Sequence, residues 1–123
     1  MQIKSLMNPA LGTITPETTV LEAYQTVERQ NTRALVVTVG DRVLGVVTNA
    51  DVGRRVIADE KAAASKPVAD VMSKRVAACF EDTEATQART FMQQKKIQYI
   101  LVCNRARQIV GLLSPEDLRN VQN

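Results

Sequence analysis

The chain contains no histidine and no tryptophan, and only two tyrosines and two phenylalanines. Without histidine there is no side chain whose ordinary pKa suits proton transfer near neutral pH. There is also no Ser-His or Cys-His pair and no His-containing zinc site. An aromatic share of 3% leaves no stacking platform for single-stranded nucleic acid. Cys79 and Cys103 stand alone, without a C-x-x-C, so a disulfide framework is not expected and both read as small buried hydrophobes. No apolar run approaches the roughly 18 residues of a membrane span. The opening MQIKSLMNPALG lacks the long apolar core of a signal peptide, so a cytoplasmic protein without membrane attachment is expected. No G-x-x-x-x-G-K-[ST] loop occurs. The net charge of +3, from 16 basic and 13 acidic residues, is too weak and scattered to argue for nucleic acid. These absences leave no catalytic constellation and no metal site; a non-enzyme is expected.

What is present is a repeat. Ala34–Val39 is an apolar, β-branched run, Gly40-Asp41-Arg42 punctuates it, Val43–Thr48 resumes it, and Thr48-Asn49-Ala50-Asp51 opens a helix. The same grammar returns from Tyr99 to Asp117. At an offset of 65, Ile3, Leu6 and Met7 meet Val68, Val71 and Met72, and Thr18, Ala23, Val37 and Arg42 meet Thr83, Ala88, Val102 and Arg107. Past the turn the offset becomes 66, so that Gly45, Thr48 and Asp51 meet Gly111, Ser114 and Asp117, which one extra turn residue explains. The repeats are read as 1–58 and 67–123, with 59–66 as a linker or helix extension, together one compact module of 123 residues. A half of roughly 60 residues would bury only about 60% of its unfolded surface, so the two are expected to share a core.

Each repeat orders as β-α-β-β-α. Thr19-Val20-Leu21-Glu22 is an S/T-x-x-E capping box, and Val20, Ala23, Tyr24 and Val27 form the stripe of an amphipathic helix. The strand pairs are nearly all apolar, as in sheets covered on both faces. Two copies exclude an open solenoid and leave a closed two-fold sandwich, an α+β fold of two βαββα repeats.

Two local signatures matter, Gly45-Val46-Val47-Thr48-Asn49-Ala50-Asp51 and Gly111-Leu112-Leu113-Ser114-Pro115-Glu116-Asp117. Thr48 and Ser114 stand where a helix N-cap belongs, and Asp51 and Asp117 fall at N3, where a carboxylate favours the positive helix end. Read singly, each is a cap. Three features widen the reading. Glycine inside a strand marks a close approach to the backbone. The motif occurs twice at equivalent places. A helix N-terminus also suits anions, and an acid there can accept bonds from the vicinal hydroxyls of a ribose.

The repeat order, the spacing of about 65 residues, the two G-h-h-[ST]-x-x-D endings and the leading Leu6-Met7 and Val71-Met72 resemble a tandem pair of CBS domains, named after cystathionine β-synthase. The resemblance covers about residues 3–121. It implies two repeats packed sheet to sheet with pseudo-two-fold symmetry, and a regulatory module without a required cofactor whose two clefts between the repeats take an adenosine-containing ligand: AMP, ADP, ATP or S-adenosylmethionine. It implies that Asp51 and Asp117 hold ribose hydroxyls and that Thr48 and Ser114 lie near phosphate or ribose. The opposite side of each cleft is expected from the start of the other repeat's second strand. That sets Thr32 and Arg33 opposite Ser114 and Asp117, and Ile97 and Gln98 opposite Thr48 and Asp51. Arg33 suits a phosphate; Gln98 departs from that pattern, with Lys95 or Lys96 as substitutes, and Arg54 and Arg55 read mainly as solvated. The resemblance also implies a homodimer through the helices, for which Leu21, Tyr24, Phe91 and Met92 are the candidate apolar surface, and a partner enzyme or transporter that reads the ligand state. The alternative is a ligand-independent dimerisation and interaction scaffold.

Overall fold

The structure, a computed structural model, describes residues 1–121. Its contacts divide the chain into two compact units: Ala10–Lys74, and Met1–Pro9 together with the chain from Arg75 onward. The units therefore do not coincide with the sequence repeats. The leading turn of each repeat packs with the sheet of the other.

In the first unit, β1 (Leu11–Ile14), α1 (Val20–Gln30), β2 (Ala34–Val39), β3 (Arg42–Thr48), α2 (Asn49–Ala58) and α3 (Glu60–Ala63) follow in order. The sheet runs β1-β2-β3, with β1 parallel to β2 and β2 antiparallel to β3. The capping box forms as the sequence predicts: the Glu22 amide donates to Thr19 Oγ1 at 3.1 Å and the Thr19 amide to Glu22 Oε1 at 2.9 Å. Val20, Ala23 and Val27 are buried against Leu35, Val37 and Val47, with Tyr24 packed alongside. Asp59 breaks the helix after α2 and caps α3 through the Ala62 amide, so part of 59–66 is a short second helix.

The other unit repeats this plan with β4 (Val76–Phe80), α4 (Ala85–Lys95), β5 (Tyr99–Cys103) and β6 (Ile109–Leu113), in the sheet order β4-β5-β6. Its final element differs. Where the sequence predicts a helix after Ser114, Pro115–Leu118 forms a single 3-10 turn. Among the described residues the stretch gives Leu118 and Val121 to its core, as the matching helix gives Val52 and Val56, so the apolar positions are matched although the turn stays short. Among the helix residues considered for self-association, Met92 is buried, and Leu21, Tyr24 and Phe91 pack against their own units' cores.

The outer strands β3 and β6 are each closed by a leading segment. Val46 and Ser73 exchange both backbone hydrogen bonds, at 3.0 and 2.9 Å, and Leu112 and Asn8 do the same, both at 2.9 Å. The carbonyls of Lys66 and Met1 accept from Val20 and Ala85, the first residues of α1 and α4. The strand glycines are required by this arrangement. A Cβ on Gly45 would stand 2.6 Å from the Ser73 carbonyl oxygen and 2.9 Å from Met72 Sδ, and one on Gly111 would overlap Met7. The close approach that the glycines signal is therefore made by Met72–Ser73 and by Met7. Beside each glycine the antiparallel register slips by one residue, leaving Leu44 and Val110 as bulges that pack onto the cores.

Gly45→Ala should destabilise by about 1–3 kcal/mol, because it meets a backbone oxygen. Gly111→Ala should cost less, because a methionine side chain can turn away. Urea unfolding measures both, and Met7→Ala should relieve part of the Gly111→Ala loss.

Candidate functional site

Antiparallel pairing brings the start of the second strand and the end of the third to one end of each sheet. In the first unit Ala34 pairs with Thr48, and the Asn49 amide donates to the Arg33 carbonyl at 3.0 Å. Thr32 and Arg33 thus stand beside Thr48 and Asp51 of their own unit. In the other unit Ile100 pairs with Leu113, which groups Ile97 and Gln98 with Ser114 and Asp117.

Thr48 caps α2, its Oγ1 accepting from the Asp51 amide at 3.2 Å. The Asp51 carboxylate faces the Arg54 guanidinium one turn on, and the two side chains are 36% and 71% exposed. An ion pair so exposed is worth little and exchanges readily. Asp117 is held differently: its Oδ2 accepts from the Ser114 amide at 2.8 Å and from Ser114 Oγ at 3.1 Å. Asp117 thus acts as a cap does, while Asp51 pairs with a side chain one turn on. Asp117 also lines a cavity of about 530 Å³ with Met1, Leu6, Ala85, Thr86, Asn120 and Val121.

The neighbours fall into two kinds. Ile97 is half-buried and packs against the second core. Thr32 Oγ1 is buried without a hydrogen-bond partner among the described residues. Such an orphan calls for a water or a ligand group. Arg33 and Gln98 are exposed. Arg55, Lys95 and Lys96 are solvated, Lys96 in a left-handed C-cap with φ 54°. One residue at this sheet end escaped the motif reading: the carbonyl of exposed Arg75 accepts from both Gln98 and Tyr99, at 2.7 and 3.2 Å. Its signal lay in the repeat alignment, where Arg75 meets Ala10.

Burial pushes the Cys79 thiol up, with a smaller push from Cys103, and burial does the same to Cys103, which makes both poor nucleophiles at neutral pH. Among the described residues no three potential ligands gather for a metal ion, and no helix is long and apolar enough to cross a membrane.

The family model for the CBS domain matches twice, at residues 3–57 and 68–123. Among named relatives, the chain is 29% identical over 107 residues to inosine-5'-monophosphate dehydrogenase of Methanocaldococcus jannaschii, covering 86% of this chain and 20% of that enzyme. It is 25% identical over 112 residues to a probable arabinose 5-phosphate isomerase of Haemophilus influenzae, covering 91% and 33%. The chain thus spans a third or less of the length of these two relatives. Among solved structures, a CBS domain protein of Pyrobaculum aerophilum complexed with AMP superposes with a TM-score of 0.67 at 19% identity, covering 99% of this chain and 93% of that one. The CBS domain pair of protein MJ0100, in complex with 5'-methylthioadenosine and S-adenosyl-L-methionine, gives 0.66 at 20% identity, covering 96% and 92%. At these identities the likeness shows the fold.

Thr48→Ala removes the α2 cap and should cost about 1 kcal/mol of unfolding free energy in urea. A variant as stable as the parent would show that Thr48 is not used as a cap.

Proposed function

The chain belongs to the CBS domain family, with two copies in tandem, and from that premise we propose that it is a regulatory module binding an adenosine-containing ligand: AMP, ADP, ATP or S-adenosylmethionine. The observation that carries the reading is the cavity of about 530 Å³ lined by Asp117, a volume within the range of small-molecule sites. Asp51 and Asp117 accept the ribose hydroxyls by releasing Arg54 and Ser114. Thr48 and Ser114 lie toward phosphate or ribose, and Thr32 Oγ1, orphaned and buried, gains a partner. Arg33, Ile97 and Gln98 complete the two sites. The AMP and S-adenosyl-L-methionine complexes of structurally similar CBS proteins support this ligand class.

In this reading the module is non-catalytic and cytoplasmic, needs no cofactor, and passes its ligand state to a partner enzyme or transporter. It forms a homodimer on its helical side, where Ile57 is 85% exposed; sedimentation velocity should show a dimer, and a strict monomer at high concentration would remove that part. A second reading, a ligand-independent scaffold, is favoured by one observation: both acids already have partners within their own helical starts.

Calorimetric titration with the four ligands separates the readings. Binding of at least one is expected, with Asp51→Ala and Asp117→Ala weakening separate sites. Loss of a charge-assisted hydrogen bond costs about 1.5–3 kcal/mol, on the order of tenfold or more in affinity. No heat from any of the four at millimolar ligand, with folded protein, would leave the scaffold.

A further inference from the structure

At the turn joining β5 to β6 lies a cavity of about 390 Å³, lined by Ala78, Cys79, Phe80, Cys103 and Arg107. Ser114 and Asp117 follow the other end of β6 (Ile109–Leu113), about 13 Å along the strand. Strand pairing sets the walls of the cavity. In the parallel register Ala78 pairs with Leu101 and Phe80 with Cys103. Alternate residues share a face, so Ala78, Phe80 and Cys103 stand on the face opposite the one from which Val102 enters the core. Phe80 is held in place. The Arg105 guanidinium lies over its ring, 4.1 Å from the centroid, and is itself anchored on both Asp82 carboxylate oxygens, at 3.0 and 2.9 Å.

This apolar lining is not a demand of the fold. At the matching positions of the first repeat stand Thr13, Thr15 and Thr38, in the same lattice, since Thr13 pairs with Val36 as Ala78 pairs with Leu101. Arg107 supplies the charge. Its φ is 67°, in the left-handed region that the first hairpin fills with Gly40 at 58°. An arginine held there is strained, and residues so held gather at binding sites. Asp82 is taken by Arg105, whereas Arg107 joins no ion pair among the described residues, and no acid lines the cavity. Apolar walls with one guanidinium suit a single negative charge. A carboxylate meets the planar fork with two parallel bonds, whereas the second charge of a phosphate monoester would be desolvated without a partner. We propose that this cavity binds a small apolar monocarboxylate, its body against Ala78, Phe80 and Cys103 and its carboxylate on Arg107. The site is separate from the adenosine reading and does not depend on it.

The test is a proton–nitrogen NMR titration of the full chain with 2-naphthoate, its neutral counterpart 2-naphthalenemethanol, and acetate. 2-Naphthoate should shift the Ala78, Cys103 and Arg107 amides saturably. 2-Naphthalenemethanol should bind there about tenfold more weakly, for want of the charge-assisted bonds, and acetate should leave these amides unmoved at the same concentration. Arg107→Gly removes the charge and suits the backbone; it should weaken 2-naphthoate about tenfold and leave 2-naphthalenemethanol unchanged. Ala78→Thr with Cys103→Thr, which installs the residues of the first repeat, should weaken both. No saturable shift with 2-naphthoate at millimolar concentration, equal 2-naphthoate affinity in Arg107→Gly and the parent, or an acetate response as strong as that to 2-naphthoate would each overturn the proposal.

Discussion

The rest of the structure depends on the closure of two sheet edges. β3 and β6 are outer strands, and an uncovered outer strand presents free backbone donors and acceptors to any passing chain. Here Ser73 lies on Val46 and Asn8 on Leu112, each through a reciprocal pair of backbone hydrogen bonds. The backbones come close enough because Gly45 and Gly111 carry no Cβ, and the space is taken by Met72 with Ser73, and by Met7. Neither sheet is closed by its own repeat's leading turn.

That closure also holds the strands from which the candidate site residues leave. Thr48 and Ser114 come two residues after the clamped Val46 and Leu112, so each hydroxyl and each following acid leaves a strand held on both sides. Such support suits a site whose own side chains exchange partners, as Asp51 would with Arg54 and Asp117 with Ser114. The leading turns also supply the carbonyls that accept from the first amides of α1 and α4. Each leading segment therefore holds both a strand edge and a helix start.

Much of this was legible in the sequence because it is local. The stripe Val20, Ala23, Tyr24, Val27 and the Thr19–Glu22 box depend on spacings of three and four residues, and the structure bears them out. The strand glycines were legible as points of close approach, but not their neighbours, since Met7 lies 104 positions from Gly111. The bulges at Leu44 and Val110 were hidden because they depend on the register of a partner strand. The last turn of the second repeat carries the same start signals as α2 but forms a single 3-10 turn, because start signals mark where a helix opens and not how far it runs. At the candidate sites the acids and hydroxyls were readable from the motif. The backbone contact of Arg75 with Gln98 and Tyr99 was not, because it depends on the parallel pairing of two strands distant in sequence.

Native-state hydrogen exchange tests edge closure most directly. The amides of Val46, Ser73, Asn8 and Leu112 are predicted to exchange only through opening as costly as that of the central strands β2 and β5. Rapid exchange of these four while β2 and β5 remain protected would mean that the edges stand open, and would contradict the account.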